Sequence, residues 1–214
     1  QLVARFVELL AQQANEKIDR MREHAAFTLI RLLRHPTLPK CPNHSELTAI
    51  LEAASSEATA TTAPAAAATV VELEPAAEST AKKVLASSDY LAPHTCFPRT
   101  VRFLSCPSYR KRTLHGLAIS VGGITESTTK AAGASLLTHV GSLSPSERTE
   151  LSSDLVTLLS ENASTPRVHL PLMRTAQHLL EARALEPILG LPIGGNGADE
   201  TTTLASHLID AIKP

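Results

Sequence analysis

Apolar residues recur at spacings of three and four along most of the chain, which is the pattern of amphipathic helices. In the opening segment the positions that share one helical face are Ile18, Met21, Ala25, Leu29 and Leu32. This spacing predicts one long opening helix that ends near Pro36. Because Gln1 already lies inside the pattern, we expect the chain to be a piece of a longer protein.

A second, shorter helix is predicted to begin at Asn43 or Ser45. Asn43 and Glu46 have the spacing of a capping box, in which two residues satisfy the free amides of a helix start. The apolar stripe that follows is narrow and consists of Leu47, Ile50 and Leu51. We therefore predict a short helix that pairs with the opening one.

The second half of the chain has more regular helix signals. Pro98 fits the first turn of a helix that stops at Cys106 and Pro107. The next helix is predicted to end at Gly122 and Gly123, which can take the left-handed conformation that closes a helix. Each of these boundaries rests on a proline or a glycine, the two residues that most strongly interrupt regular structure.

The strongest local signal begins at Ser144, where a cap, Pro145 in the first turn and a reciprocal Glu147 precede a leucine stripe. Further helices are predicted to start from three other capping or first-turn positions, Thr125, Thr165 and Asp199. No stretch alternates apolar and polar residues, so strands are not required.

Short connections between these helices predict antiparallel neighbours, and stacked helical hairpins of this kind form a solenoid. We therefore predict an all-α fold, a HEAT/armadillo-like α-solenoid of antiparallel helical hairpins, with a plain helical bundle as the alternative. The composition agrees, since 43% of residues are hydrophobic but only 3% are aromatic. Leu, Ala, Ile and Val must then fill the core.

Three regions follow from this pattern. Residues 1–52 are predicted to form a helical hairpin that continues a solenoid, and residues 82–214 a helical-repeat carboxyl-terminal domain. Residues 53–81 are nearly all small or acidic and are predicted to be a flexible, low-complexity insertion. The alternative for this insertion is an alanine-rich helix, which Pro64 and Pro75 would interrupt.

Charge and cysteine content limit the classes of function. Lys and Arg number 20 against 21 Asp and Glu, so the chain lacks the basic excess of a typical nucleic-acid binder. The three cysteines have no disulfide or zinc spacing, which indicates a reducing compartment, and we expect a cytoplasmic protein. We also expect no membrane span and no secretory signal at the amino end.

No arrangement of residues predicts an enzyme. Ser120 lies in a helical pattern and not at a strand-to-helix turn, so it is interpreted as an ordinary helix serine. Cys41 and His44 could ligate a metal together, but no second pair at zinc spacing follows them. We therefore expect no catalytic residues, no bound cofactor and no metal.

One local charge feature stands out: the chain has no Asp or Glu between Asp89 and Glu126. The candidate protein-binding patch in this window consists of Arg99, Arg102, Tyr109, Arg110, Lys111 and Arg112. Arginine and tyrosine are enriched in protein interfaces. A solvated basic ridge is the alternative, and nucleic-acid binding by so short a stretch is disfavoured.

Three strings of the chain resemble a known family. They are EKIDRMREHAA at 16–26, FPRTVRFLSCPSYRKRTLHGLAISVGGITEST at 97–128 and RVHLPLMRTAQHLL at 167–180. Together they are similar to the carboxyl-terminal domain of the tubulin folding cofactor D family, also called tubulin-specific chaperone D. The resemblance covers residues of about 10–45 and 90–182, and the insertion and the stretch beyond Arg183 lie outside it.

The resemblance implies a HEAT-type scaffold that binds β-tubulin released by the cytosolic chaperonin. It also implies partners, namely the tubulin folding cofactors C and E and an ARF-like small GTPase, with which the αβ-tubulin dimer is assembled or dismantled. Any GTP hydrolysis would then be stimulated in tubulin and only with the partner cofactors. A generic HEAT-repeat adaptor for a small GTPase or another protein is the alternative function.

Overall fold

A computed structural model describes residues 1–57, 90–186, 189, 205–206 and 209–210. The elements whose two ends both lie within residues 1–57 and 90–186 are eight α-helices and one 3-10 helix. In chain order they are α1 (Leu2–Gln13), α2 (Asp19–Leu33), α3 (His44–Glu57), α4 (Pro93–Thr100), the 3-10 helix (Val101–Ser105), α5 (Pro107–Val121), α6 (Glu126–Ser142), α7 (Pro145–Glu161) and α8 (Pro166–Glu181). The predicted all-α, solenoid-like class is confirmed for the described part of the chain.

Helix α5 lies at the centre of the arrangement. It packs against α1, α6, α7, α8 and the 3-10 helix, while α4 packs against α6 and α1 packs against α2. Gly116 allows α1 to approach closely, because a Cβ at this position would overlap the carbonyl oxygen of Gln12. The amino-terminal helices are thus joined to the rest of the fold through the backbone of α5.

Two apolar clusters fill the interior. One, made by α4 to α8, is centred on leucines such as Leu114, Leu136 and Leu155. The other, made by α1 to α5, includes Val7 and Leu29 together with the three buried cysteines. The segment from α4 to α5 contributes side chains to both clusters, so it is the part of the chain that connects them.

The prediction of one long opening helix is wrong, because the chain breaks between α1 and α2 at residues 14–18. Asn15 is fully buried in this break, and its Nδ2 donates to the carbonyl oxygen of Ala11 at 2.8 Å. Ser120 of α5 donates from Oγ to the carbonyl oxygen of Asn15 at 2.7 Å. A distant helix therefore satisfies the backbone that the break exposes, which compensates for the interrupted helix.

The predicted position of Pro98 is also wrong. Pro93 takes the first turn of α4, and Pro98 lies inside that helix. Since proline has no amide hydrogen, it removes one hydrogen bond from the helix interior. The helix is accordingly short and continues as the 3-10 helix from Val101.

The glycines after α5 end the helix as predicted, but not by the predicted conformation. Gly122 has a φ of −82°, which is not left-handed. A Cβ at Gly122 would instead overlap the backbone of Pro171 in α8. The glycine is thus required for the close approach of α8 to the end of α5.

The amino-terminal ends of α3, α6, α7 and α8 lie at or next to the capping residues predicted from the sequence. Ser144 and Glu147 form the predicted capping box of α7, with the Ser144 amide donating to Glu147 Oε2 at 2.8 Å. Asn43 precedes α3, and its Nδ2 donates to Glu46 Oε2 at 2.6 Å. Thr125 and Thr165 occupy the N-cap positions of α6 and α8 without a side-chain cap hydrogen bond.

Two predictions fall mainly outside the described residues. Helix α3 continues to Glu57, past the predicted start of the insertion at residue 53, and residues 58–89 are not described. The predicted helix capped by Asp199 is described only at residues 205–206 and 209–210, which are helical. The three-region division of the chain therefore stays a prediction.

Candidate protein-binding surface

The six residues of the predicted patch lie on three consecutive elements. Arg99 is on α4, Arg102 is on the 3-10 helix, and residues 109–112 are in the first turns of α5. The patch therefore lies on the segment that connects the two apolar clusters. The six side chains differ in burial and in ion pairing, and these two properties determine which of them can contact a partner protein.

Arg110 holds α5 against α7. Its Nε donates to Asp154 Oδ2 and its Nη1 to Glu150 Oε2, both at 2.7 Å, and the arginine side chain is only 14% exposed. Burial acts to lower the pKa of Arg110, but the hydrogen bonds to Asp154 and Glu150 outweigh it and leave the pKa raised. The charge of Arg110 is thus neutralised by a contact inside the fold.

Lys111 makes a second connection between the same two helices. Its Nζ donates to Glu161 Oε1 at 2.6 Å, with both side chains partly in solvent. An exposed ion pair of this kind contributes at most about 1 kcal/mol. Lys111 is therefore available to solvent but is already paired with a carboxylate.

Tyr109 is fully buried. Its hydroxyl donates to the carbonyl oxygen of Pro42 at 2.8 Å, which ties α5 to the loop before α3. Burial, together with the neighbouring Cys41 thiol, raises the pKa of Tyr109, so the phenol stays neutral. The ring belongs to the core, and the predicted surface contact by this aromatic side chain is not available in this fold.

Three arginines supply the remaining positive charge of the patch. Arg112 is exposed, with its Nη1 3.5 Å from Gln12 Oε1. Arg99 is half-buried, and its guanidinium carbon lies 5.8 Å from the centroid of the Tyr90 ring. Arg102 is also half-buried. The binding role of the patch stays a prediction, and Arg99, Arg102 and Arg112 are the members that could serve it.

Arg102 borders a groove between the 3-10 helix and α6. The groove has a volume of about 450 Å³ and is lined by Pro98, Val101, Arg102, Ala134, Ser135, Thr138, His139 and Ser142. Burial lowers the pKa of His139; Glu147 opposes this shift and Arg102 adds to it. The imidazole is therefore neutral at pH 7, and Arg102 is the one cation among the lining residues.

A second basic surface, which was not predicted, lies on α2. Arg20, His24, Phe27 and Arg31 are spaced by four, three and four residues and all face solvent, with Phe27 40% exposed. Neither Arg20 nor Arg31 has an ion-pair partner within residues 1–57 and 90–186. We call these four residues the α2 face.

The buried side of α2 explains why the apolar pattern of the sequence does not predict the α2 face. The predicted buried stripe includes Ile18 and Met21, but they are 56% and 46% exposed, whereas Arg22 is fully buried. Arg22 donates from Nη2 to Asp19 Oδ1 at 2.5 Å and to the carbonyl oxygen of Leu91 at 3.0 Å. A charged residue inside the core rotates the helix relative to the predicted stripe, and the spacing of the α2 face is the signal that could have revealed it.

Helix α1 also presents an unusual outer side. Leu2, Phe6 and Leu9 share one helical face and are 78%, 54% and 46% exposed. The other side of the helix buries Val7 and Ala11. The apolar surface of α1 is therefore wider than its contacts with the described helices require.

The described residues contain no cluster suited to metal binding, and burial acts on the thiols of two cysteines. Cys41 Sγ lies 3.8 Å from His44 Nδ1, yet no group of three or more His, Cys, Asp and Glu residues in the described ranges could hold a metal. Burial raises the pKa of Cys96 to about 11 and that of Cys106 to about 12. Both thiols are therefore protonated and are poor nucleophiles.

A comparison with protein families gives a match over nearly the whole chain. The family model described as tubulin folding cofactor D C terminal matches residues 4–211. No solved structure matches the chain. Among the described helices, none is long and apolar enough to cross a membrane.

Proposed function

The chain belongs to the tubulin folding cofactor D C-terminal family, and from this premise we propose that it is a scaffold that binds β-tubulin. The family match over residues 4–211 is the observation that carries the proposal. In this role the chain takes part in assembly and disassembly of the αβ-tubulin dimer after release from the chaperonin. The chain is not an enzyme in this scheme, and GTP is hydrolysed by tubulin.

The proposed partners beyond β-tubulin are the tubulin folding cofactors C and E and an ARF-like small GTPase. Activation of the tubulin GTPase is proposed to need the partner cofactors together with this chain. The site of action is then the cytoplasm, in association with the microtubule cytoskeleton. All of these proposals rest on the match of the chain to the tubulin folding cofactor D C-terminal family.

Two packed apolar clusters joined through α5 give the chain a defined surface on which a partner can be held. A scaffold that binds one state of its partner stabilises that state, by about 2.7 kcal/mol when the free scaffold is at 100 times its Kd. An unpaired β-tubulin subunit would be protected from aggregation in this way. No catalytic group is needed for such an effect.

We propose Arg99, Arg102 and Arg112 as the contact with β-tubulin, by complementarity with an acidic partner. Arg110 and Lys111 are less suitable for testing this contact, because their ion pairs with α7 also support the fold. A charge reversal at Arg102 and Arg112 changes the surface without removing one of these ion pairs. Arg102→Glu with Arg112→Glu is therefore the preferred variant.

Affinity purification from a eukaryotic cytosol tests the proposal. Residues 1–214 are used as the bait, and the proteins that co-purify with them are identified. Recovery of β-tubulin or the small GTPase with residues 1–214 supports a binding surface within the chain. Recovery of neither partner would contradict the proposal and favour an adaptor for a different cargo.

A further inference from the structure

An open groove runs along the solvent side of α2. Its volume is about 530 Å³, and the residues that line it are Arg20, Glu23, His24, Phe27 and Leu91. Phe27 and Leu91 are 40% and 39% exposed, so the groove has an apolar floor that no described residue covers. A groove of this size can hold one large apolar side chain and its flanking backbone.

Positive charge borders this apolar floor. Arg20 lies at one end of the α2 face and Arg31 at the other, where its guanidinium carbon is 5.8 Å from the centroid of the Phe27 ring. Asp19, the nearest acid before Arg20, is already bonded to the buried Arg22. Glu23 is the acid among the lining residues. Because Arg20 and Arg31 together carry two positive charges against this one carboxylate, the surface keeps a net positive charge.

We propose that the α2 face binds an acidic segment of a partner protein, with a large apolar side chain against Phe27 and Leu91 and carboxylates on Arg20 and Arg31. Arginine pairs well with carboxylates because its planar guanidinium can donate two parallel hydrogen bonds. The exposed aromatic ring supplies the apolar contact that concentrates binding energy in interfaces.

The spacing of the two arginines sets the spacing of the acids. Arg20 and Arg31 are separated by roughly 16 Å along the helix axis, at 1.5 Å per residue. An extended peptide covers that distance in about five residues. The partner segment is therefore expected to carry its acids about five residues apart, with the apolar residue between them.

Glu23 favours a peptide over a nucleic acid. It lies between Arg20 and Phe27 in the groove, where it would repel a continuous row of phosphates. A peptide avoids this repulsion because its carboxylates need to occupy only the two ends. The same reasoning disfavours an anionic membrane surface, which cannot leave the middle of the face uncharged.

Peptide binding to residues 1–214 tests the proposal. The probe is a labelled peptide with one leucine between two glutamates at the stated spacing, and its matched controls replace the glutamates with glutamine or the leucine with alanine. We expect the double variant Arg20→Glu/Arg31→Glu to weaken binding roughly tenfold or more, through the loss of two surface ion pairs. Phe27→Ala should weaken binding without changing its salt dependence.

The matched control variant is Lys130→Glu/Arg167→Glu, which makes the same change in net charge at two exposed positions on α6 and α8. Unchanged peptide affinity in this control supports the proposal. An equal loss in the control, equal binding of the glutamine peptide, or displacement of the peptide by an RNA oligonucleotide or by anionic vesicles would overturn it. The proposal does not depend on the partner being tubulin, so it can fail or hold independently of the proposed function.

Discussion

The predicted patch at residues 99–112, which we call the α4–α5 cluster, and the α2 face both carry basic side chains but differ in how those charges are paired. In the cluster, Arg110 and Lys111 are paired with three carboxylates of α7. On the α2 face, Arg20 and Arg31 have no ion-pair partner among the described residues. Basic charge that a neighbouring helix neutralises supports the fold, whereas basic charge left in solvent is free to bind another molecule.

The contrast extends within α2 itself. Arg22 is fully buried, with hydrogen bonds to Asp19 and to two backbone carbonyl oxygens, and its guanidinium carbon lies 4.9 Å from the centroid of the Phe97 ring. Arg20, two residues earlier, is exposed and makes none of these contacts. One helix thus carries a structural arginine and a binding candidate on different faces.

The largest expected effect separates these two arginines. Arg22→Ala should lower the free energy of unfolding by about 3–5 kcal/mol, because it leaves a buried aromatic face and two carbonyl oxygens without their cation. Arg20→Ala is the matched control and should change stability by less than about 0.5 kcal/mol. Urea unfolding followed by circular dichroism measures both, and similar stabilities of the two variants would refute the assignment.

The next largest effect lies in the α4–α5 cluster. Arg110→Glu places a carboxylate beside Asp154 and Glu150, and should lower the free energy of unfolding by about 2–3 kcal/mol in this partly buried site. Adding Asp154→Arg should restore part of that loss by reversing the pair. If the double variant is no more stable than Arg110→Glu alone, the ion pair does not support the fold as described.

Lys111→Ala should have a smaller effect in the same cluster. Its pair with Glu161 is exposed, so the loss should be below about 1 kcal/mol and should shrink at high salt. Urea unfolding at low and high ionic strength tests this. A loss of unfolding free energy as large as that of Arg110→Glu would show that solvent exposure does not weaken the Lys111–Glu161 pair relative to the ion pairs of Arg110.

The smallest effect concerns pH. Burial, with help from Arg112, lowers the pKa of His115 from 6.5 although Glu161 opposes the shift, and burial also lowers that of His139. As the pH falls, these histidines are therefore protonated in the unfolded chain before they are protonated in the folded chain. The free energy of unfolding is highest above pH 6.5 and decreases as the pH falls from the unfolded pKa towards the lower folded pKa values.

Urea unfolding between pH 7.5 and about 5 should show this decline. The double variant His115→Gln/His139→Gln should flatten the curve over that range. An equal slope in wild type and variant would assign the pH dependence to other groups.

Helix boundaries marked by local chemistry could be predicted from the sequence. The capping box of α7 and the ends of α5 at Pro107 and Gly122 depend on residues within a few positions of the boundary. The break at residues 14–18 could not be predicted, since no proline or glycine marks it. It is stabilised by Ser120 and by Cys96, whose Sγ donates to the carbonyl oxygen of Ala14 at 3.6 Å, and both are distant in sequence.

The candidate surface was harder to predict for the same reason. The sequence shows where the basic residues are, but Arg110 finds its carboxylates on a helix that begins more than thirty residues later. Burial of Tyr109 likewise depends on the loop that holds Pro42. On the α2 face the exposed spacing is visible in the sequence, but the buried Arg22 hides which side of the helix faces solvent.

The most direct test of the functional account is capture of β-tubulin by immobilised residues 1–214 in three forms. They are the wild type, Arg102→Glu/Arg112→Glu and the control Lys130→Glu/Arg167→Glu. The account predicts that wild type and control capture β-tubulin equally and that the first variant captures clearly less. Equal capture by all three forms would contradict the assignment of Arg102 and Arg112 as the contact, and no capture by any of them would contradict a β-tubulin-binding surface within this chain.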